Sequence, residues 1–218
     1  MSNLPYDTDQ AVRHLRAADD RMAFAIEVVG PFSGAYRPAA SPFEALSEAI
    51  AYQQLSGKAA ATIFGRFRAL LADPERLDPP SVLALSVEQM RSAGLSGAKT
   101  KAIRDLADKV LDGTVPEGDA LQVLPDDEVI ERLTVVHGIG PWTAKMFMMT
   151  RLGRPDVLAQ GDLGIRKGVQ RLDGLGELPT PAAVVQRAEP WQPYRSMASW
   201  YLWRLLDLDG DAMIIPGD

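Results

Sequence analysis

Apolar side chains recur at intervals of three and four along most of this chain, with polar residues between them, and the breaks in that rhythm fall at glycine and proline. Ser41-Pro42-Phe43-Glu44 reads as a capping box with proline at the first helical position, and Ala45, Leu46, Ala49, Ile50 and Leu55 follow at helical spacing. Gly57 interrupts the pattern; KAAATIFGRFRALLAD resumes it until Asp73-Pro74 and Asp78-Pro79-Pro80 end it. Ser86-Val87-Glu88-Gln89 is a second capping box, opening a short helix that stops at Gly94, and AKTKAIRDLADKVLDG then runs amphipathically to Gly113. Further helices are predicted from about Pro125 to Val136, from Pro141 to Leu152, from Thr180-Pro181 onward, and through YRSMASWYLWRLLDL, with one helix-like stretch before Ser41. No segment alternates with period two, so the predicted class is all-α.

One break differs from the rest. VVHGIGPWTAKMFMM, residues 135–149, places Gly-X-Gly between two helical stretches, a turn too tight for an ordinary helical hairpin. Glycine at 138 and 140 permits positive φ and close approach of another molecule's backbone, while Pro141 suits the first turn of the next helix. The backbone amides around Gly138, Gly140 and Trp142 then point outward at a helix N-terminus, where the dipole favours an anion such as a phosphate. A plain helix–turn–helix corner accounts for the glycines equally well.

Composition narrows the chemistry. With 218 residues and 46% hydrophobic side chains the chain can bury a core as one domain or two close-packed lobes. Cysteine is absent, which excludes disulfides, thiolate nucleophiles, cysteine-ligated zinc and iron–sulfur clusters. Only His14 and His137 offer imidazole, far apart in sequence, so no catalytic transition metal is expected. Neither a signal sequence nor an apolar run approaching the ~18 residues of a membrane span is present, so a cytoplasmic, non-secreted protein without membrane association is expected. The net charge of −6 argues against indiscriminate coating of nucleic acid. Between Arg132 and Arg171, however, seven cations (Arg132, Lys145, Arg151, Arg154, Arg166, Lys167, Arg171) face only Asp156 and Asp162, leaving +5 on an otherwise acidic chain. Such a segment suits a polyanion held at one place, or is simply a cluster of solvated charges.

About twenty residues after the turn lies DVLAQGDLGIRKGVQ, in which a loop delivers Asp162 to the start of an amphipathic helix bearing Arg166 and Lys167. LTVVHGIGPWTA followed by GDLGIRKG resembles the helix-hairpin-helix (HhH-GPD) DNA glycosylase superfamily, whose hairpin is followed by a loop with an invariant aspartate. AIAYQQLSGKAAATIFGRF and WQPYRSMASWYLW extend the likeness, over roughly residues 40–207, to its 3-methyladenine DNA glycosylase II (AlkA-type) branch. The resemblance implies that Asp162 is catalytic. Breaking an N-glycosidic bond builds positive charge on the deoxyribose, and a fixed carboxylate stabilises that state or orients the attacking water. Asp162 read without the motif would be the cap of the helix beginning at Leu163, a role compatible with catalysis. Asp156, its nearest rival, lies outside the motif register.

The same resemblance assigns the remaining site. Trp142 and Trp203 match the aromatic positions of the alkyl-base pocket, suited to stacking on a cationic methylated purine, and Met146 and Leu163 line it where AlkA itself has tyrosines. Either tryptophan could instead be ordinary core. Gln54 or Leu55, just before Gly57, matches the wedge that fills the gap left by a flipped base; Leu55 could also be a core residue. His137, Gly138, Gly140, Lys145 and Arg166 are the expected backbone contacts to DNA. A monovalent cation, K+ or Na+, is implied on the main-chain carbonyls of Thr134, Val136 and Ile139, and no cofactor for catalysis. Strand-cutting members carry a lysine two residues beyond the hairpin's second glycine, where this chain has Trp142, so no lyase activity is expected.

The expected architecture is one HhH-GPD unit over 1–218: a central helical lobe over 42–145 ending in the hairpin, and a second lobe from 1–41 and 146–218, with the hairpin beside an interlobe DNA-binding cleft. The N-terminal α/β domain of AlkA-type enzymes is expected to be missing or vestigial. The implied activity is that of a monomeric, monofunctional glycosylase of base excision repair, acting on 3-methyladenine- or 7-methylguanine-type bases in double-stranded DNA. A non-enzymatic helix-hairpin-helix DNA-binding protein, and a glycosylase for oxidised or mismatched bases, remain alternatives.

Overall fold

A computed structural model describes residues 4–34, 36, 41–118 and 120–208, and among them there are helices and no strand. The helices fall into two units, Pro38–Phe147 and the combination of Met1–Arg37 with Met148–Asp218.

The Pro38–Phe147 unit contains α3 (Pro42–Tyr52), α4 (Gly57–Arg68), α5 (Pro79–Leu83), α6 (Val87–Ser92), α7 (Gly97–Leu111), α8 (Ala120–Val123), α9 (Asp126–Thr134) and α10 (Pro141–Phe147). The 15-residue α7 is its centre, packing on α3, α5 and α6 through Ala102, Ile103, Leu106 and Ala107. Phe43, Leu46 and Ile50 of α3 and Phe67 of α4 are fully buried. Each such side chain contributes about 1.5–3 kcal/mol of burial.

The capping signals resolve unequally. At Ser86 the box is complete: the Ser86 hydroxyl accepts from Gln89 N–H at 3.1 Å, and the Gln89 side chain accepts from Ser86 N–H at 2.7 Å. At Ser41 only half of it forms, because Glu44 turns to pair with Arg68 of α4 and leaves the hydroxyl to accept from its own N–H. Asp78-Pro79-Pro80, expected only to end a helix, instead starts one: Asp78 caps Ser81 N–H at 2.9 Å, and proline at the first helical position sacrifices no hydrogen bond.

The second unit is built from α1 (Thr8–Ala18), α2 (Asp20–Val29), α11 (Leu163–Asp173), α12 (Pro181–Arg187) and α13 (Arg195–Asp207). The single helical stretch expected before Ser41 is thus two helices. Asp19 separates them with extended backbone (φ −159°) and caps the second through Arg21 and Met22 N–H. The same carboxylate accepts from Trp191 Nε1 at 2.7 Å and pairs with Arg187 at 2.5 Å; Arg187 reaches on to Asp173 at 2.7 Å and stacks on the Trp191 ring. Burial pushes Asp19 up, but its donors outweigh that and hold it below the usual carboxylate value. Helix α13 packs on α2 and α11. At the α11–α13 contact, Gly168 permits a near backbone-to-backbone approach: a β-carbon there would lie 2.8 Å from the Leu202 carbonyl oxygen.

The helix expected over Pro141–Leu152 is α-helical only to Phe147, and Met148–Leu152 widens into a π-helical turn.

Candidate active site

The loop leading to Asp162 is anchored by the motif that follows it in sequence. Ser196, in the first turn of α13, donates its hydroxyl to Arg154 O at 2.6 Å and accepts from Val157 N–H at 2.9 Å, while its own N–H donates to Pro155 O at 3.0 Å. Arg195 closes a bidentate pair with Asp156 at 2.8 and 2.9 Å. The rival carboxylate is therefore engaged in holding the loop. Val157, Leu158 and Ala159 turn into the core, and Asp162 N–H donates to Ala159 O at 2.8 Å, delivering Asp162 to the N-cap of α11.

There its Oδ1 accepts two donors, Ile165 N–H at 2.8 Å and the Trp203 indole N–H at 2.9 Å. Gly164 makes the second possible: a β-carbon at 164 would fall 2.7 Å from Trp203 Cδ1 and 3.0 Å from Asp162 Oδ1. The carboxylate is thus oriented from two directions while remaining partly open to solvent. Trp203 is half-buried, and Leu163, beside Asp162, is 53% exposed. Arg166 Nε donates to Pro179 O at 2.8 Å, which fixes its stem to the segment before α12.

In the other unit the hairpin runs from the end of α9 to the start of α10. Val136 and Ile139 are buried; His137, Gly138 and Gly140 lie at the surface. Ile139 N–H donates to Val136 O at 3.1 Å, and Gly138 sits at φ +81° with Ala102 of α7 against it, so the first glycine is demanded by conformation. Gly140 differs from expectation. Its φ is not positive, and a β-carbon there would meet nothing within 4 Å. It begins α10, its carbonyl accepting from Ala144 N–H, and its lack of a side chain leaves the space in front of the helix open. His137 N–H donates to Asp105 Oδ2 at 2.7 Å, and Lys109 holds Oδ1 at 2.6 Å. Burial raises Asp105, but the His137 amide and Lys109 together keep it below the ordinary carboxylate value.

On α10, Trp142 is 51% exposed, which removes it from the core, and Lys145 and Met146 are half-buried one turn later. The Thr134 hydroxyl donates to Ile130 O at 2.8 Å. The backbone carbonyls of Thr134, Val136 and Ile139 belong to the last residue of α9 and the turn after it, at the negative end of the helix dipole; that donor set suits a hard monovalent cation.

The segment expected to carry the wedge follows α3. Gln54 has φ +57°, alone among the described non-glycine residues, at a cost of about 1–2 kcal/mol, and Leu55 is 40% exposed instead of core. Gln53 donates its side-chain amide to Gly138 O at 3.0 Å. The basic segment divides between the units, and Arg132 pairs with Glu128 at 3.1 Å, so part of its charge is met locally. Sequence reasoning missed Gln53, Asp105, Gly164 and the Arg195–Ser196 anchor as site elements; all but Asp105 stood inside recognised motifs without a role.

The HhH-GPD model, describing a superfamily of base excision DNA repair proteins, matches residues 48–193. DNA-3-methyladenine glycosylase 1 of Schizosaccharomyces pombe is 35% identical over 196 residues, 88% of this chain and 84% of that protein. The structure of the S. pombe 3-methyladenine DNA glycosylase Mag1 in complex with abasic DNA superposes with a TM-score of 0.82 at 34% identity, over 91% of this chain and 97% of that one. A DNA-3-methyladenine glycosidase from Bacillus halodurans gives 0.81 at 37% identity, over 89% and 88%.

Proposed function

Because this chain belongs to the HhH-GPD superfamily of base excision DNA repair proteins, we propose that it is a DNA glycosylase that removes alkylated bases by hydrolysing their N-glycosidic bond, with Asp162 as the catalytic carboxylate. The observation that carries this reading is the double hold on Asp162 Oδ1 by Ile165 N–H and Trp203 Nε1–H, at the mouth of α11 and in the register of the superfamily's aspartate.

The chemistry follows from that geometry. As the base departs with the bonding electrons, the sugar gains oxocarbenium character, and an oriented carboxylate lowers the energy of that charge or aligns the water that attacks it. A cationic base such as 3-methyladenine or 7-methylguanine is already a good leaving group, so no separate general acid is needed. The base must leave the duplex stack first. Gln54 or Leu55 supplies the plug; Trp142 and Met146 in one unit, and Leu163 and Trp203 in the other, each offer polarizable or aromatic surface to an extruded base. The outward hairpin around His137, Gly138 and Gly140, with Lys145 and Arg166, holds phosphates without reading sequence. A monovalent cation on the Thr134, Val136 and Ile139 carbonyls would add positive charge beneath that phosphate site.

The enzyme is monofunctional and monomeric in this reading: where strand-cutting relatives place their Schiff-base lysine, this chain has Trp142. Base release from DNA treated with a methylating agent tests it, with 3-methyladenine and 7-methylguanine as the expected products. Release of neither, alongside retained DNA binding, would leave a binding module.

A further inference from the structure

Three of the hydrogen bonds that hold the loop bearing the two candidate wedge residues set its position against the rest of the unit. Leu55 N–H donates to Tyr52 O at 3.3 Å, and Lys99 of α7 reaches the last turn of α3 to donate to Ala51 O at 2.8 Å. The third hold is Gln53, whose side-chain amide leaves the loop altogether and bonds Gly138 O in the hairpin at 3.0 Å. Its partner is a carbonyl oxygen, which only accepts, so the amide nitrogen must face it. The Gly138–Ile139 peptide is thereby fixed on both edges, its oxygen by Gln53 and its N–H by Val136 O at 3.1 Å. His137 N–H on Asp105 at 2.7 Å adds a further hold on the same turn. Immediately after Gln53 the backbone enters the left-handed region at Gln54, and Leu55 projects into solvent.

We propose that Gln53 is a positioning residue that ties the wedge to the hairpin, so that seating the hairpin on the phosphate backbone fixes how far Gln54 or Leu55 enters the base stack. The inference rests on the glycosylase reading above. Gln53 touches neither sugar nor base in this assignment. Its contribution is register, because a plug on a loop able to slide against its phosphate anchor retreats from the stack instead of displacing a base.

Gln53→Met preserves length and removes the donor; Gln53→Glu preserves shape and sets an acceptor against the Gly138 carbonyl. Both are compared with wild type on 7-methylguanine in fully paired duplex and on the same lesion opposite an abasic site, where little stacking has to be undone. Both variants are expected to bind undamaged duplex within about twofold of wild type and to lose roughly 10- to 100-fold in excision from paired DNA, mainly in kcat. Most of that loss should vanish opposite the abasic site, a recovery that a general loss of folding would not give. Equal losses on the two substrates, or no loss in either variant, overturn the proposal. Fluorescence of 2-aminopurine placed at the flipping position reads the wedge without any excision. If wild-type protein releases no alkylated base, the glycosylase reading fails, yet a wild-type rise in that fluorescence that is absent in Gln53→Met still supports the tie, and identical signals refute it.

Discussion

Trp203 and Asp162 are joined by a hydrogen bond from the indole N–H to carboxylate Oδ1 at 2.9 Å, and Gly164 is the residue that lets them meet. The tryptophan expected only as a stacking surface therefore also orients the candidate catalytic group. Its neighbours in the WQPYRSMASWYLW motif act on the same loop, Arg195 through Asp156 and Ser196 through Arg154 and Val157. One helix start thus supports the whole approach to Asp162.

Trp203→Phe keeps an aromatic face and removes the N–H. Single-turnover excision of 7-methylguanine should fall about 10- to 100-fold, the rate equivalent of a hydrogen bond to a charged group worth roughly 1.5–3 kcal/mol. Gly164→Ala should produce a comparable loss by forcing the indole away from Oδ1. An unchanged rate in both variants would mean that the bond is incidental.

Asp19 is another carboxylate with several donors, and it bears on stability. Asp19→Ala leaves Arg187 with Asp173 alone and should cost about 3 kcal/mol, a fall of roughly 6–12 °C in melting temperature. The pH dependence has a definite sign. Asp19 and Asp105 are both held below the ordinary value of 3.8, so their stabilisation is complete above that pH and is lost as pH falls through the lower folded-state values. Melting curves of wild type and Asp19→Asn should converge as pH is taken below about 4. A gap that widens on acidification would contradict the assignment.

Binding of undamaged duplex should weaken steeply with salt, since phosphate contacts release counterions. Asp105→Ala, which frees His137 N–H at the hairpin, should weaken that binding without abolishing the helical circular dichroism signal. Salt-independent affinity would remove the hairpin from the interface.

Much of this was legible in the sequence for physical reasons that vary by residue. The Ser86–Gln89 cap and the Asp162 cap are local, each spanning three residues, and each forms. Ser41–Glu44 has the same local pattern, yet Arg68, twenty-four residues away, captures the glutamate. Pro79 was misread because proline marks helix starts and stops alike. Gly140 carries the same letter as Gly138 but serves by leaving space, where Gly138 serves by adopting φ +81°. Gln53 and Asp105 meet their hairpin partners 85 and 32 residues away, so no local pattern in the sequence marks either bond.

Substrate choice should follow charge. The side chains of Trp142, Met146, Leu163 and Trp203 carry few hydrogen-bonding groups, so cationic 3-methyladenine and 7-methylguanine should be released in preference to neutral 8-oxoguanine, with Trp203→Ala narrowing the preference. The abasic product strand should remain intact, with no borohydride-trapped covalent complex. Faster release of 8-oxoguanine, or such a complex, would contradict the alkylbase, monofunctional reading.

The central claim is that Asp162 carries the chemistry, and Asp162→Asn tests it most directly. Asparagine retains an oxygen to cap Ile165 N–H and to accept from Trp203, so the fold and the binding of undamaged duplex should survive, while the neutral amide cannot balance charge on the sugar. Single-turnover release of 7-methylguanine from paired duplex should drop by at least about 100- to 1000-fold. Release within a few-fold of wild type by a folded, DNA-binding Asp162→Asn variant would contradict the account.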